Sequence, residues 1–377
     1  MSLLEVRDLS VTFDTDGGTV HAVDGVSFDV DRGETVCIVG ESGSGKTVTS
    51  ESITRLVREP PGSVEAARVS FEGDDLSRIP KKRLRQLRGD RIAHVFQNPQ
   101  GSLNPVYTVG RQIIEAIRLH EDVSKAAART RAIDLLDRVG IPTAGERIDD
   151  YPHEFSGGQK QRVVIAMAIA ANPDLLIADE PTTALDVTIQ AQILRLLRDL
   201  QDEYGMAMLL ITHDLGVVAE VADRVVVMYA GKVMETGDVY EIFENPSHPY
   251  TKALLDCLPG RRTGAEGIPG TLPDPKQPPD GCRFANRCPH AIDACREGDH
   301  PPLVPVADGS TTHEAACVYY QAGYDASTVR NGSSEAAETE GWSDDANAGW
   351  GTGRTDGGTE VDDAVDGESE TSRGDTR

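Results

Sequence analysis

The sequence predicts an α/β fold, with a parallel sheet between helices, an antiparallel β subdomain, an inserted helical subdomain and a small C-terminal cysteine-containing region. Three observations predict it. TVCIVG and the apolar runs at residues 93–97, 174–179 and 206–212 read as strands buried on both faces, with helical patterns between them. Residues 3–34 read as shorter strands broken at the DTDGG and DRGE turns. Residues 103–151 are mostly helical, with helix-type apolar spacing in IIEAIRL and AIDLLDRV.

Composition bounds the function before any motif does. A length of 377 residues exceeds the usual single core, so a large α/β domain with an appendage is expected. The formal charge, 37 − 62 = −25, excludes a general nucleic-acid-binding surface. Lysine is scarce, 8 against 29 Arg, a balance found in proteins of molar-salt cytoplasm as well as in ordinary acidic proteins. The longest apolar run, residues 163–171, falls well short of the roughly 18 residues a membrane span needs. The start, MSLLEVRDLS, has no basic region followed by an apolar one, so a cytosolic protein is expected. Thiols stay reduced there, and four of the six cysteines sit together at residues 282–317, which favours a metal over disulfides. Cys37 and Cys257 read as small core residues.

GESGSGKT fits G-x-x-x-x-G-K-[ST] between a predicted strand and a predicted helix, the context of a phosphate-binding loop. Gly40, Gly43 and Gly45 let the backbone amides of Gly40, Glu41, Ser42, Gly43, Ser44 and Gly45 turn towards phosphate oxygens, assisted by the positive helix end. Lys46 reaches the β- and γ-phosphates, and the Thr47 hydroxyl can ligate Mg²⁺. LLIADE then delivers two carboxylates to the C-terminal end of a buried strand. Asp179 is placed to hold Mg²⁺ and Glu180 to polarise the attacking water, so ATP hydrolysis is expected.

FSGGQKQR, Gln97, Asp186 in ALD, and His213, in the order and spacing found here, resemble the ATP-binding cassette family over residues 4–260. The resemblance implies a head-to-tail pair of cassettes in which Ser156, Gly157, Gly158 and Gln159 cap the γ-phosphate held by a partner. It implies that Gln97 senses the γ-phosphate and Mg²⁺, and that its loop touches the transport subunit. It makes His213 the switch residue that positions Glu180, and Asp186 part of the loop joining the two composite sites. An aromatic residue of the first hairpin stacks on adenine in this family; Phe13 is the candidate here and His21 its substitute. Asp214 has no assigned role. Phe155 replaces the commoner leucine of the signature.

FQNPQGSLNPVYTVGRQIIEAI, NPSHPYTKALL and IPGTLPDP resemble the ATPases of oligopeptide, dipeptide and nickel importers. That resemblance implies an ATP-hydrolysing subunit on the cytoplasmic face of the membrane, energising di- or oligopeptide uptake, with nickel or oligosaccharides as alternative cargo. A soluble non-transport cassette ATPase is a further alternative. The implied partners are two transmembrane permeases, a second cassette subunit, identical or related, and an extracytoplasmic binding protein. Cys282, Cys288, Cys295 and Cys317 match members believed to hold an iron–sulfur cluster; four thiolates suit [4Fe-4S] or zinc. The resulting division is an ATP-binding domain at 1–259 with a helical subdomain at about 98–160, a C-terminal region at 260–324 and a tail at 325–377. Asn331 to Arg377 holds 13 acids and 3 arginines, and the tail is expected to be disordered.

Overall fold

The computed structural model describes residues 2–183, 185–258, 267–307 and 312–330. The boundary expected at 259/260 and the tail from residue 331 onward lie outside these. The strands are β1 (Leu4–Thr15), β2 (Gly18–Val30), β3 (Thr35–Val39), β4 (Gly62–Glu65), β5 (Arg68–Phe71), β6 (Asp74–Asp75) and β7 (Ile92–Val95), then β8 (Leu175–Asp179), β9 (Ala207–Thr212), β10 (Arg224–Tyr229), β11 (Lys232–Asp238), β12 (Val304–Pro305) and β13 (Glu314–Ala315).

Strands β1, β2, β4, β5 and β6 form an antiparallel sheet in which β1 pairs with β2, β4 and β5. The larger sheet runs β12-β13-β11-β10-β3-β9-β8-β7, and β10 through β7 are mutually parallel. Because neighbouring side chains point to opposite faces of a strand, the central strands serve two cores at once. Val36, Ile38, Leu175, Ile177, Leu209 and Ile211 pack against the antiparallel sheet. Cys37, Val39, Leu176, Ala178, Met208 and Leu210 face the helical side. This double burial explains why the strands read as unbroken apolar runs.

Between β7 and β8 lies the helical insertion, including Val109–His120, Lys125–Arg138 and Gly157–Ala168; the long helix Val187–Tyr204 follows β8. Each begins at a side-chain cap, in order Thr108, Ser124, Ser156 and Asp186. Among the described residues no helix is long and apolar enough to cross a membrane.

The described part of the appended region is joined to the main body. Strand β13 continues the large sheet by pairing with β11, and Phe284 packs with Tyr229 and Tyr250 at ring separations of 5.3 and 5.3 Å. Glu235, wholly buried on β11, accepts from the backbone N–H of Ser247 and His248 at 2.7 and 2.8 Å and pairs with His313 at 2.7 Å. Three aromatic rings and a satisfied buried carboxylate thus supply the cohesion that aliphatic residues supply elsewhere. Cys37 is buried in β3 as expected, whereas Cys257 is exposed at the end of helix Pro249–Asp256.

Candidate nucleotide site

The phosphate loop leaves β3, turns, and enters helix Lys46–Ile53. Two glycines are required by geometry. A Cβ on Gly40 would lie 2.0 Å from the Met228 carbonyl oxygen, and one on Gly45 2.4 Å from that of Ala22, with φ there at +99°. Gly45 is the N-cap of that helix, and no side chain caps its first turn, unlike the four longer helices above. The amides of that turn are therefore left for a ligand. Lys46 is only 6% exposed and its ammonium donates to the carbonyls of Gly40 and Glu41 at 2.8 and 2.9 Å. Burial lowers its pKa, opposed by Glu180, Asp179 and Glu41.

At the end of β8, Asp179 is 5% exposed, and its Oδ1 is buried without a hydrogen-bond partner among the described residues. Burial pushes its carboxyl up, while a hydrogen bond with Thr47 pulls it down. An orphaned carboxylate oxygen beside a threonine hydroxyl is the donor set a hard divalent cation takes, and it fits Mg²⁺.

Glu180 is held from three sides. Gln97 Nε2 and Thr183 Oγ1 both donate to its Oε2 at 2.8 Å, and His213 Nδ1 lies 2.9 Å from Oε1. Burial alone would raise its pKa, but the hydrogen bonds from His213, Thr183 and Gln97 outweigh it and keep the carboxyl below the usual range. Its backbone sits at φ +46°, a left-handed conformation that is strained for glutamate and recurs at functional positions. Gln97 itself lies two residues beyond the end of β7, in the loop rather than in the strand.

A cavity of about 410 Å³ opens onto this assembly, lined by Ser42, Gly43, Lys46, Thr47, Gln97 and Glu180 among others. Ser156, Gly157, Gly158 and Gln159 do not line it. Ser156 and Gly157 are exposed, and among the described residues the Ser156 side chain and Gln159 amide pair with each other's backbones: Gln159 N donates to Ser156 Oγ at 3.3 Å, and Ser156 N to Gln159 Oε1 at 3.0 Å. The phosphate loop and Glu180 thus face a cavity, whereas the start of helix Gly157–Ala168 faces away from it and is exposed.

A family model described as ABC transporter matches residues 23–183, and one described as oligopeptide/dipeptide transporter, C-terminal region, matches residues 234–295. The oligopeptide transport ATP-binding protein OppD of Bacillus subtilis is 54% identical over 310 residues, 81% of this chain and 86% of the relative. The chain belongs to the ABC transporter family. The dipeptide transport ATP-binding protein DppD of Escherichia coli is 52% identical, covering 85% of this chain and 97% of its own. Among solved structures, the dimeric post-hydrolysis state of the ATP-binding cassette MJ0796 bound to ADP and phosphate matches 63% of this chain and 98% of its own, at 27% identity and TM-score 0.57. CbiO1 of Clostridium perfringens, part of the transporter complex CbiONQ, matches at 29% identity and TM-score 0.55, over 64% of this chain and 91% of its own.

Within this ABC ATPase, several assignments gain a local cause. Asp186 caps helix Val187–Tyr204 by accepting from Ile189 N at 2.9 Å, and Asp214, left unassigned by the motifs, caps the next helix and accepts from Gln190 Nε2 at 2.8 Å. Phe155 is buried with the Arg147 guanidinium 4.0 Å above its ring. Phe13 packs against the core of the antiparallel sheet and does not line the cavity, whereas His21 does. Thr183 was missed, although its place three residues after Glu180 in DEPTT was a usable signal.

All four C-terminal-region cysteines are free thiols. Burial pushes Cys282 and Cys317 up to about 12, opposed by the backbone N–H of Phe284 and Tyr319, and each feels the neighbouring thiols. Cys288 is raised in the same way, opposed by the N–H of His290. Among the described residues, however, no group of three or more His, Cys, Asp or Glu side chains is disposed as a metal site.

Proposed function

We propose that this chain is the ATP-hydrolysing subunit of a peptide importer, working in pairs at the cytoplasmic face of the membrane with two permeases and an extracytoplasmic binding protein. The observation that carries the reading is the Glu180 carboxylate, ionised and clamped by Gln97, Thr183 and His213 over the Lys46 cavity. The two family matches, spanning both the cassette and the C-terminal region, support peptides as the cargo class.

In this reading Lys46 and the loop amides bind the triphosphate, and Thr47 and Asp179 would hold Mg²⁺, which would supply positive charge against the phosphate oxygens. Glu180 accepts a hydrogen bond from the attacking water and aligns it on the γ-phosphorus, and His213 and Gln97 hold Glu180 in place. The water's oxygen bonds to phosphorus as the bond to the ADP oxygen breaks. Residues 156–159 of a second cassette complete the γ-phosphate cage, so hydrolysis requires the closed pair. A groove of about 630 Å³ beside Gln97, with Phe96 and Leu119 exposed at 43% and 76%, is suited to receive a permease helix and pass closure on. The test is reconstitution in proteoliposomes with the permeases and binding protein. ATP turnover stimulated severalfold by peptide-loaded binding protein is expected; turnover indifferent to it would defeat the importer reading.

We propose in addition that Cys282, Cys288, Cys295 and Cys317 bind a [4Fe-4S] cluster. Four free thiols in one segment, three of them facing backbone N–H groups, support this; the side chains must draw together from the arrangement described. Iron and sulfide analysis with visible absorbance tests it, and a colourless, iron-free protein purified without oxygen would defeat it. The acidic, lysine-poor composition supports adaptation to high salt, which predicts a melting temperature that rises markedly between low and molar KCl.

A further inference from the structure

The motifs assign the C-terminal region no part in nucleotide chemistry, yet two of its segments stand at the phosphate loop. Leu272, Pro273, Asp274, Pro275 and Pro278 line the same cavity as Lys46. Their main chain is fixed there: His21 N donates to the Pro275 carbonyl at 2.9 Å, and Lys276 N and Gln277 N close a turn on Asp274. The Leu272 methyl lies 3.6 Å from where a Cβ on Gly43 would stand, so it covers the glycine face of the loop.

The second contact is polar. Arg287, its side chain 5% exposed, grips the Glu41 carboxylate in a fork at 2.6 and 3.0 Å. Its remaining N–H groups donate to Tyr229 Oη at 3.1 Å and to the carbonyls of Ile268 and Pro269 at 2.8 and 2.8 Å. All five guanidinium donors are thus used, which leaves one geometry for the group. Glu41 is the junction: its N–H donates to Tyr250 Oη at 2.9 Å and its carbonyl accepts from Lys46 at 2.9 Å. Any shift of Arg287 is felt one residue-length away by the phosphate-binding lysine.

We propose that the C-terminal region is a working part of the nucleotide site, with Arg287 as a positioning residue for the phosphate loop and residues 272–278 as a wall for the base. This rests on the cavity taking ATP. The phosphate end is already specified by Lys46, Thr47 and Glu180, and those are the groups a triphosphate needs. Away from the phosphate end, Val20, Leu272, Pro273 and Pro275 give the lining an apolar stretch that suits the face of a purine, with His21 and Asp274 beside it.

Calorimetric titration of the full chain with ATP and with inorganic tripolyphosphate, which has no base, separates the two roles. Leu272→Ser should weaken ATP about fivefold and leave tripolyphosphate unchanged. Arg287→Ala should weaken both ligands about tenfold, and Arg287→Lys should recover only part, since a point charge cannot form the fork. Melting is followed in parallel. If Arg287→Ala fails to fold, the Lys variant carries the test. Wild-type affinity for both ligands in the folded Arg287 variants, or an equal loss of both ligands in Leu272→Ser, would overturn the proposal. A wild-type chain that binds neither ligand would instead refute the ATPase reading.

Discussion

The end of β8 and the start of helix Gly157–Ala168, the two segments proposed to meet phosphate, are finished to different degrees. Glu180 has three side-chain partners, a depressed pKa and a strained backbone held in place by its surroundings. Among the described residues Ser156 has the reciprocal cap with Gln159 that any helix start can have. The difference teaches that the fold pre-organises Glu180 but leaves the start of this helix exposed, as the proposed closure by a second cassette would require.

Glu180→Gln should break the comparison most severely. It keeps the size and hydrogen-bonding reach of the side chain but removes the charge that polarises water, so kcat should fall about a thousandfold with ATP binding retained. Stopped turnover together with an ATP-dependent dimer in gel filtration is the expected outcome; near-normal turnover would strip Glu180 of its role. Ser156→Ala is next, lowering ATPase about tenfold through the closed pair, while ATP affinity of the isolated chain stays the same. Its loss of a cap costs about 1 kcal/mol, a shift that thermal melting resolves from the catalytic effect. A drop in the isolated chain's ATP affinity would place the signature in its own pocket after all.

Thr183→Ala sharpens the inward half, since it removes one of three restraints on Glu180 and should slow hydrolysis about fivefold without altering KM. The smallest effect is in pH. Because the folded carboxyl sits below its ordinary value, Glu180 stays ionised where free glutamate begins to protonate, about pH 5 to 4, and its share of rate and stability is lost only as pH falls through the depressed value. Thr183→Ala lets that pKa rise, so the acid limb of kcat should move to higher pH. An unmoved limb would show that another group sets it.

The sequence made the catalytic half legible because phosphate chemistry needs certain residues at certain spacings along one loop and one strand. GESGSGKT and LLIADE each sit within a single strand-to-loop junction, so short-range pattern was enough. The double-faced strands were legible for a similar reason, as two-sided burial leaves unbroken apolar runs. The link from Arg287 to Glu41 spans 246 residues and uses a common ion-pair chemistry, which gives no local signature. Phe13 shows the same limit from the other side, since an aromatic residue in SVTF fits core packing as well as a ring stack, and in the structure it lies partly buried against the core of the antiparallel sheet. The junction of the C-terminal region with the core was not legible either, because Tyr229, Tyr250 and Phe284 lie apart in the chain and meet only when folded.

The uncapped first turn of helix Lys46–Ile53 makes the nucleotide a structural ligand as well as a fuel. An anion seated on those amides completes the helix end that no side chain completes, and it does so only in the folded chain. Bound at a thousand times its Kd, a ligand adds about 4 kcal/mol to folding stability, which is a large share of what holds a domain of ordinary stability together. The lifetime of this subunit against thermal unfolding and proteolysis should therefore track the cell's nucleotide supply.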